Sequence, residues 1–247
     1  MEYVRWAPTY ERIRAEFDFD LSEEARAADD LLAHLAPAAQ QRPLERLGRR
    51  LAGRDAIVVG LAPGAGPPPI WTLPASDRPP ALVAADGAAE HCLRAGLVPD
   101  VVTTDLDGPV PSEITANQRG SLVVVHAHGD NRPALRAWVS QFEGELAGSW
   151  SGPPRPGLFD VGGFTDGDRA AYLAQHVGAR RILLWGFDFR RSDERDPSAR
   201  ARKVAKLRWA ERLLDALARS EGTPVLHWRR DGTLEPFRLQ SDAESTT

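Results

Sequence analysis

From Gly53 onward the sequence runs as short apolar stretches, each closed by Gly or Asp and followed by a helical pattern, and this limits the possible folds more than any other feature. Strands buried on both faces read as unbroken Val, Ile, Leu and Ala runs, and parallel neighbours need a crossover between them. The expected strands are 56–60, 81–85, 101–104, 122–126, 158–161, 182–187 and 224–228. An α/β fold follows: a Rossmann-like, mostly parallel sheet with helices on both faces. Ahead of it, residues 1–53 read as a small N-terminal helical region, because Tyr10, Ile13 and Phe17, then Ala28, Leu31, Leu32 and Leu35, recur at spacings of three and four. The expected organisation is a helical region at 1–53, an α/β catalytic domain at 54–240 and a disordered tail at 241–247.

Composition narrows the function classes. A formal net charge of −4 over 247 residues lacks the basic footprint of a nucleic-acid binder, so anionic ligands need local basic groups or a metal. Cys92 is the only cysteine, which excludes an internal disulfide and a cysteine-cluster zinc site; it reads as a small buried thiol in a helix. No stretch of about 18 apolar residues or signal-type apolar core occurs, so a soluble, cytoplasmic protein without a membrane partner is expected. Oligomeric state is left open, a homodimer included.

Two loops stand out. LAPGAGPPPIWTLPASDRPP, between the first two strands, carries prolines and glycines that forbid regular structure, and its Gly64 and Gly66 form only a short Gly-x-Gly. Residues 190–200, RRSDERDPSAR, read as a second polar, mobile loop.

Acids recur at strand C-terminal ends: Asp86 after one run, Asp105 and Asp107 after another, then Asp130 and Asp188. In an open parallel sheet those ends share one side, where ligands bind near the point at which strand order reverses. If the chain stays extended through TTDLDG, Asp105 and Asp107 leave one face together while Leu106 turns away. Clustered carboxylates repel, and oxygen ligands without cysteine favour Mg²⁺ bound through carboxylates and substrate phosphates. Each Asp taken alone also suits a helix cap or turn.

His126 and His128 alternate before Asp130 and Asn131 and read either as strand-end imidazoles or as partners for phosphate, heterocycle or proton. In GGFTDGDR, Gly162 and Gly163 permit close backbone approach, Thr165 can cap a helix running to Val177, and Arg169 offers a fork for phosphate. Phe164, Trp185 and Phe187 are candidates for stacking on a ring or for filling the core. Lys203 and Lys206, the only lysines, share one helix face and can close over phosphate or simply face solvent.

Together AADGA at 84–88, PDVVTTDLDG at 99–108, VVHAHGDN at 124–131, GGFTDGDR at 162–169 and GFDF at 186–189 resemble the archaeal 6-hydroxymethyl-7,8-dihydropterin pyrophosphokinase family, related in fold to thiamin pyrophosphokinases. The resemblance extends to WAPTYERI at 6–13 and KVAKL at 203–207, while the glycine loop departs from the tighter Gly-Pro-Ser form expected there. It implies transfer of diphosphate from ATP to a reduced hydroxymethylpterin, with Mg²⁺ and release of AMP, in pterin biosynthesis. Carried over by matching position, Asp105, Asp107, Asp130 and His128 become catalytic candidates, and Asp86, Asp105 and Asp107 metal ligands. Substrate and ATP contacts fall to Asp86, Gly87, His126, Asn131, Gly162, Gly163, Phe164, Thr165, Asp166, Asp168, Arg169, Asp188, Lys203 and Lys206. Pyrophosphokinases of thiamin or another alcohol, sugar-nucleotide transferases and noncatalytic nucleotide-binding modules suit the same pattern.

Overall fold

A computed structural model describes residues 3–73, 77–220 and 222–239. The strands are β1 (Asp55–Val59), β2 (Ala81–Ala85), β3 (Val101–Thr104), β4 (Leu122–Ala127), β5 (Leu146–Trp150), β6 (Leu158–Phe159), β7 (Arg181–Trp185), β8 (Val225–Trp228) and β9 (Leu234–Pro236). They form one sheet in the order β6-β5-β4-β3-β2-β1-β7-β8-β9, parallel throughout except for the antiparallel β8–β9 pair. The helices are α1 (Tyr3–Phe17), α2 (Leu21–His34), α3 (Pro43–Leu51), α4 (Ala88–Arg94), α5 (Val110–Gln118), α6 (Arg132–Trp138), α7 (Asp166–His176) and α8 (Pro197–Arg219). None of the described helices is long and apolar enough to cross a membrane.

Strand residues alternate between two cores, as the period of two demands. Ala56, Val58, Val83 and Val124 face Ile13 of α1, Leu47 of α3, Leu173 of α7 and Leu214 of α8. On the other side Ile57, Val59, Val102 and Val125 face Leu31 of α2, Cys92 of α4 and Leu135 of α6. Full burial on both faces is what the unbroken apolar runs encode. The chain proceeds outward from β1 to β6, then returns across the sheet to place β7 against the free side of β1. Strand order therefore reverses between β1 and β7, which fixes where a crevice must open. Gly60 and Gly186 make that edge possible: a Cβ on Gly60 would stand 2.7 Å from the Gly186 carbonyl oxygen.

Three expectations are corrected. Two strands are added: β5 carries Gly148, where a Cβ would lie 2.5 Å from Leu158 and 2.6 Å from Leu35, so close packing by α2 and β6 took the apolar side chain that would have marked it. β9 is a short edge strand in which Pro236 is tolerated because little pairing is lost. The polar loop at 190–200 ends at Asp196, which caps α8 by accepting from Ala199 N at 2.8 Å, so 197–200 are helical. The chain is not extended through TTDLDG either: Leu106 is left-handed at φ 67° and buried. The tail at 241–247 lies outside the described residues.

Candidate active site

The C-terminal ends of β1, β2, β3 and β7 open into a cavity of about 400 Å³. Its walls come from 60–63 after β1, Asp86 after β2, Asp105 and Asp107 after β3, 164–167 before and within α7, 186–189 after β7, and Lys203 and Lys206 of α8. The cavity sits at the reversal of strand order, so the sheet topology converges residues from across about 150 positions of sequence, Gly60 to Ala210.

Asp86, Asp105 and Asp107 each place one carboxylate oxygen within 4.8 Å of the others. Local backbone geometry brings them together. Asp86 is itself left-handed at φ 48°, a conformation an aspartate tolerates better than most residues. Its carboxylate rests on Gly108, where a Cβ would come within 2.4 Å of both oxygens, so only glycine fits beside it. Leu106 buries its side chain while its N–H donates to Thr104 Oγ1 at 2.8 Å, and Asp107 N donates to Asp105 Oδ1 at 3.2 Å. A tight turn, not a continued strand, thus juxtaposes the two aspartates.

Their electrostatics differ. Burial pushes Asp105 up, but the hydrogen bond from His128 Nε2 at 3.1 Å, the His128 charge, Asp107 and the Arg169 charge together hold the carboxyl well below its ordinary range. Asp107 is pushed up to about 6 by burial and then by the charges of Asp105 and Asp86. Asp166, also on the cavity wall, is pushed well up by burial and by Asp105, although Arg169 Nη1 donates to its Oδ1 at 3.2 Å. Behind Asp86 lies Glu113, wholly buried, with neither oxygen in a well-formed hydrogen bond; burial and then the Asp86 charge push it to about 9. Glu113 is therefore neutral at pH 7. Surplus negative charge on one wall is the physical signature of a site awaiting a cation.

Two lysines line the same cavity. Lys203 is exposed and Lys206 half-buried, and burial pushes the Lys206 ammonium down. Lys206 Nζ stands 5.8 Å from the Phe19 ring centre and 5.9 Å from that of Phe164, and Phe164 lies 5.4 Å from Phe17. The turn between α1 and α2 thus props the ammonium through ring faces.

Several candidate residues brace the site rather than line the cavity. His126 is buried with Nδ1 3.0 Å from Ser149 Oγ. Asn131 donates through Nδ2 to the carbonyls of Asp105 and His126 and accepts from His128 N, so it fixes the turn that aims His128 at Asp105. Asp130 is exposed on that turn. Asp168 accepts from the N–H groups of Phe164 and Thr165 and from the Thr165 hydroxyl, closing the start of α7. Arg169 spends its fork on Asp166 and the Phe164 carbonyl. Gly162 and Gly163 are left-handed, and a Cβ on Gly163 would strike the Arg169 backbone at 2.5 Å. Gly87 packs under Leu61 and Pro109, Trp185 donates to the Gly66 carbonyl, and Asp188 lines the cavity while accepting from the N–H groups of Arg190 and Arg191. Gly108 and Glu113 escaped the sequence reading. Gly108 directly follows DLDG's second aspartate and was legible; Glu113 looks like any surface glutamate of an amphipathic helix.

Comparison with known proteins agrees with this geometry. The family model described as 6-hydroxymethylpterin diphosphokinase MptE-like matches residues 30–194. The 6-hydroxymethyl-7,8-dihydropterin pyrophosphokinase of Methanothermobacter thermautotrophicus is 36% identical over 92% of this chain and all of its own length. The proteins of the same name from Pyrococcus furiosus and Methanocaldococcus jannaschii are 38% and 31% identical, each over 76% of this chain and 79% and 80% of their own. Among solved structures, a MAf glycosyltransferase from Magnetospirillum magneticum aligns with 65% of this chain and 28% of its own at 18% identity and a TM-score of 0.37, too remote to bear on function. With matches over most of its length and strand-end acids gathered at one crevice, the chain belongs to the MptE-like 6-hydroxymethylpterin diphosphokinase family.

Proposed function

We propose that this protein transfers the β,γ-diphosphate of ATP to the hydroxymethyl oxygen of 6-hydroxymethyl-7,8-dihydropterin and releases AMP. The observation that carries the reading is the 36% identity to a pyrophosphokinase of that name over nearly the whole chain. The cavity chemistry supports it: three clustered carboxylates and two ammonium groups line one cavity.

The donor set fits a hard divalent cation such as Mg²⁺, since three aspartate oxygens lie within 4.8 Å of one another and burial and then the charges of Asp105 and Asp86 push the Asp107 carboxyl up. Asp86, Asp105 and Asp107 would hold it, and when bound it supplies neutralising charge to phosphate oxygens. Lys203 and Lys206 present ammonium groups to the diphosphate within the same cavity. His128 and Asn131 keep Asp105 ionised and oriented. Phe164 and Phe187 give the cavity the flat apolar surface a pterin ring requires. In the reaction the acceptor oxygen forms a bond to the β-phosphorus, the bond from that phosphorus to the bridging oxygen breaks, and AMP leaves with the electron pair. The hydroxyl proton is released. Positioning and charge dispersal supply the rate, not covalent catalysis. A cytoplasmic site of action accords with a single, buried, unreactive cysteine.

Incubation with ATP, Mg²⁺ and reduced hydroxymethylpterin should yield AMP and a pterin diphosphate in equal amounts, identified by mass. ADP with a monophosphorylated acceptor would refute diphosphate transfer.

A further inference from the structure

A second cavity, of about 350 Å³, lies on the other side of the 186–189 segment, above the ends of β7 and β8. It shares Ala62, Gly186, Phe187, Asp188, Phe189 and Arg191 with the first, so the two are adjoining halves of one cleft. Their chemistry is opposite. The first holds the acidic cluster, whereas the second is lined by Arg191, Arg229, Arg230 and His227 with Asp188 as its only acid. Arg230 Nη2 donates to the Pro63 carbonyl at 2.8 Å, and its guanidinium lies 3.4 Å from where a Cβ on Gly64 would be. The glycine loop is thereby tied to this basic wall. Arg229 is engaged at its Nε by Glu235 at 3.0 Å, and Arg191 reaches Asp188 only at 3.5 Å. Burial and then the charge of Arg229 push the His227 imidazole down to about 4.

We propose that this second cavity is an anion subsite that holds the α-phosphate of the nucleotide and, after transfer, the phosphate of AMP. The assignment rests on the function proposed above. A ligand pocket of about 300 Å³ or more accommodates one small molecule, so two substrates need both halves of the cleft. The uncharged pterin acceptor offers arginine forks no anion to neutralise. The β,γ-diphosphate belongs beside the carboxylates and lysines, where the cation is needed. What remains is the adenylate phosphate, which must sit on the far side of the β-phosphorus from the acceptor and leaves as an anion. Arginine forks are suited to it.

Isothermal titration of the full-length protein with AMP, adenosine and inorganic phosphate tests this. Arg229→Gln and Arg230→Gln should each weaken AMP binding at least tenfold and change adenosine binding less than twofold. Arg229 sits on the exposed β8–β9 hairpin and does not touch the glycine loop, so Arg229→Gln keeps the test valid if Arg230→Gln melts early. Unchanged AMP affinity in a folded Arg229→Gln protein overturns the assignment, as does an equal loss for adenosine, or loss of inorganic phosphate binding with AMP untouched. Product analysis of the unaltered enzyme separates this from the broader reading: AMP formed by a protein whose arginine variants bind AMP normally defeats the subsite alone.

Discussion

Asp107→Asn should make the metal-free protein more stable while nearly abolishing turnover. Asp107 faces Asp86 and Asp105, with oxygens inside 4.8 Å. Each such pair costs about 3 kcal/mol at an effective dielectric of 20. Asp107 is set among protein atoms but keeps part of its surface open to solvent, and screening reduces this to about 1 kcal/mol per pair. Its carboxyl is raised to about 6, first by burial and then by the charges of Asp105 and Asp86, so above that pH the charge destabilises the fold and below it the penalty is lifted. Removing the charge should therefore raise the melting temperature at pH 7.5 in EDTA by about 6 °C, from roughly 2 kcal/mol of relief over the two pairs in a chain of this size. On the proposed metal assignment the same change removes a cation ligand where charge develops in the complete reaction, worth about 3 to 4 kcal/mol, so turnover should fall a hundredfold to a thousandfold. Asp105→Asn is the poorer experiment, because Asp105 also accepts from His128 and from Asp107 N. Thermal melts in EDTA and steady-state rates with Mg²⁺ titrated decide the matter. Near-normal turnover at an unchanged Mg²⁺ requirement refutes the metal assignment, and a melting temperature several degrees lower marks Asp107 as a turn residue.

Replacing both Lys203 and Lys206 with Gln should weaken ATP binding tenfold or more by calorimetry while the protein melts normally; unchanged affinity and rate would make them surface groups. At the opposite end of the sheet, burial would raise Asp55, but the forks of Arg181 and Arg180 hold it at about 2. That stability is complete above the unfolded value near 4 and lost as pH falls through 2, so Asp55→Asn should cost about 1 to 2 kcal/mol at pH 6, the half-exposed Arg180 allowing some screening, and the cost should be mostly gone by pH 2. A gap between the two proteins that is constant across acid melts would disprove the linkage. Asp168→Ala strips three donors at the start of α7 and should lower stability by about 2 to 4 kcal/mol in denaturant unfolding. A stable Asp168→Ala protein that has lost only activity would give Asp168 a direct part in chemistry.

Much of the fold was legible because a parallel strand buried on both faces has a composition that few other elements share. β1, β2, β3, β4 and β7 announce themselves in this way. β5 does not, since Gly148 yields its space to Leu35 and Leu158, a contact between segments more than a hundred residues apart in the case of Leu35. The convergence of Asp86, Asp105 and Asp107 was legible for a topological reason, that parallel strands end on one side. The turn that produces it was not: nothing in Leu106 itself favours a left-handed backbone, and its burial enforces one.

The same distinction explains why the densest motif turned out to hold so many supporting residues. GGFTDGDR is rich in polar groups, and a polar group brought into a buried turn must be satisfied before it can act on a ligand. Asp168 answers two N–H groups and a hydroxyl, and Arg169 answers Asp166 and a carbonyl, which leaves Asp166 and the Phe164 ring to face the cavity. Residue type alone cannot separate the acid that caps from the acid that faces the ligand. Position relative to the helix does: at the third place of α7 the Asp168 carboxylate folds back onto the N–H groups that open the helix, while at the first place that of Asp166 points toward Asp105 and the open crevice. Reading that offset from a sequence requires the start of α7 to be known to within one residue, and helix boundaries are the least determinate feature a sequence offers.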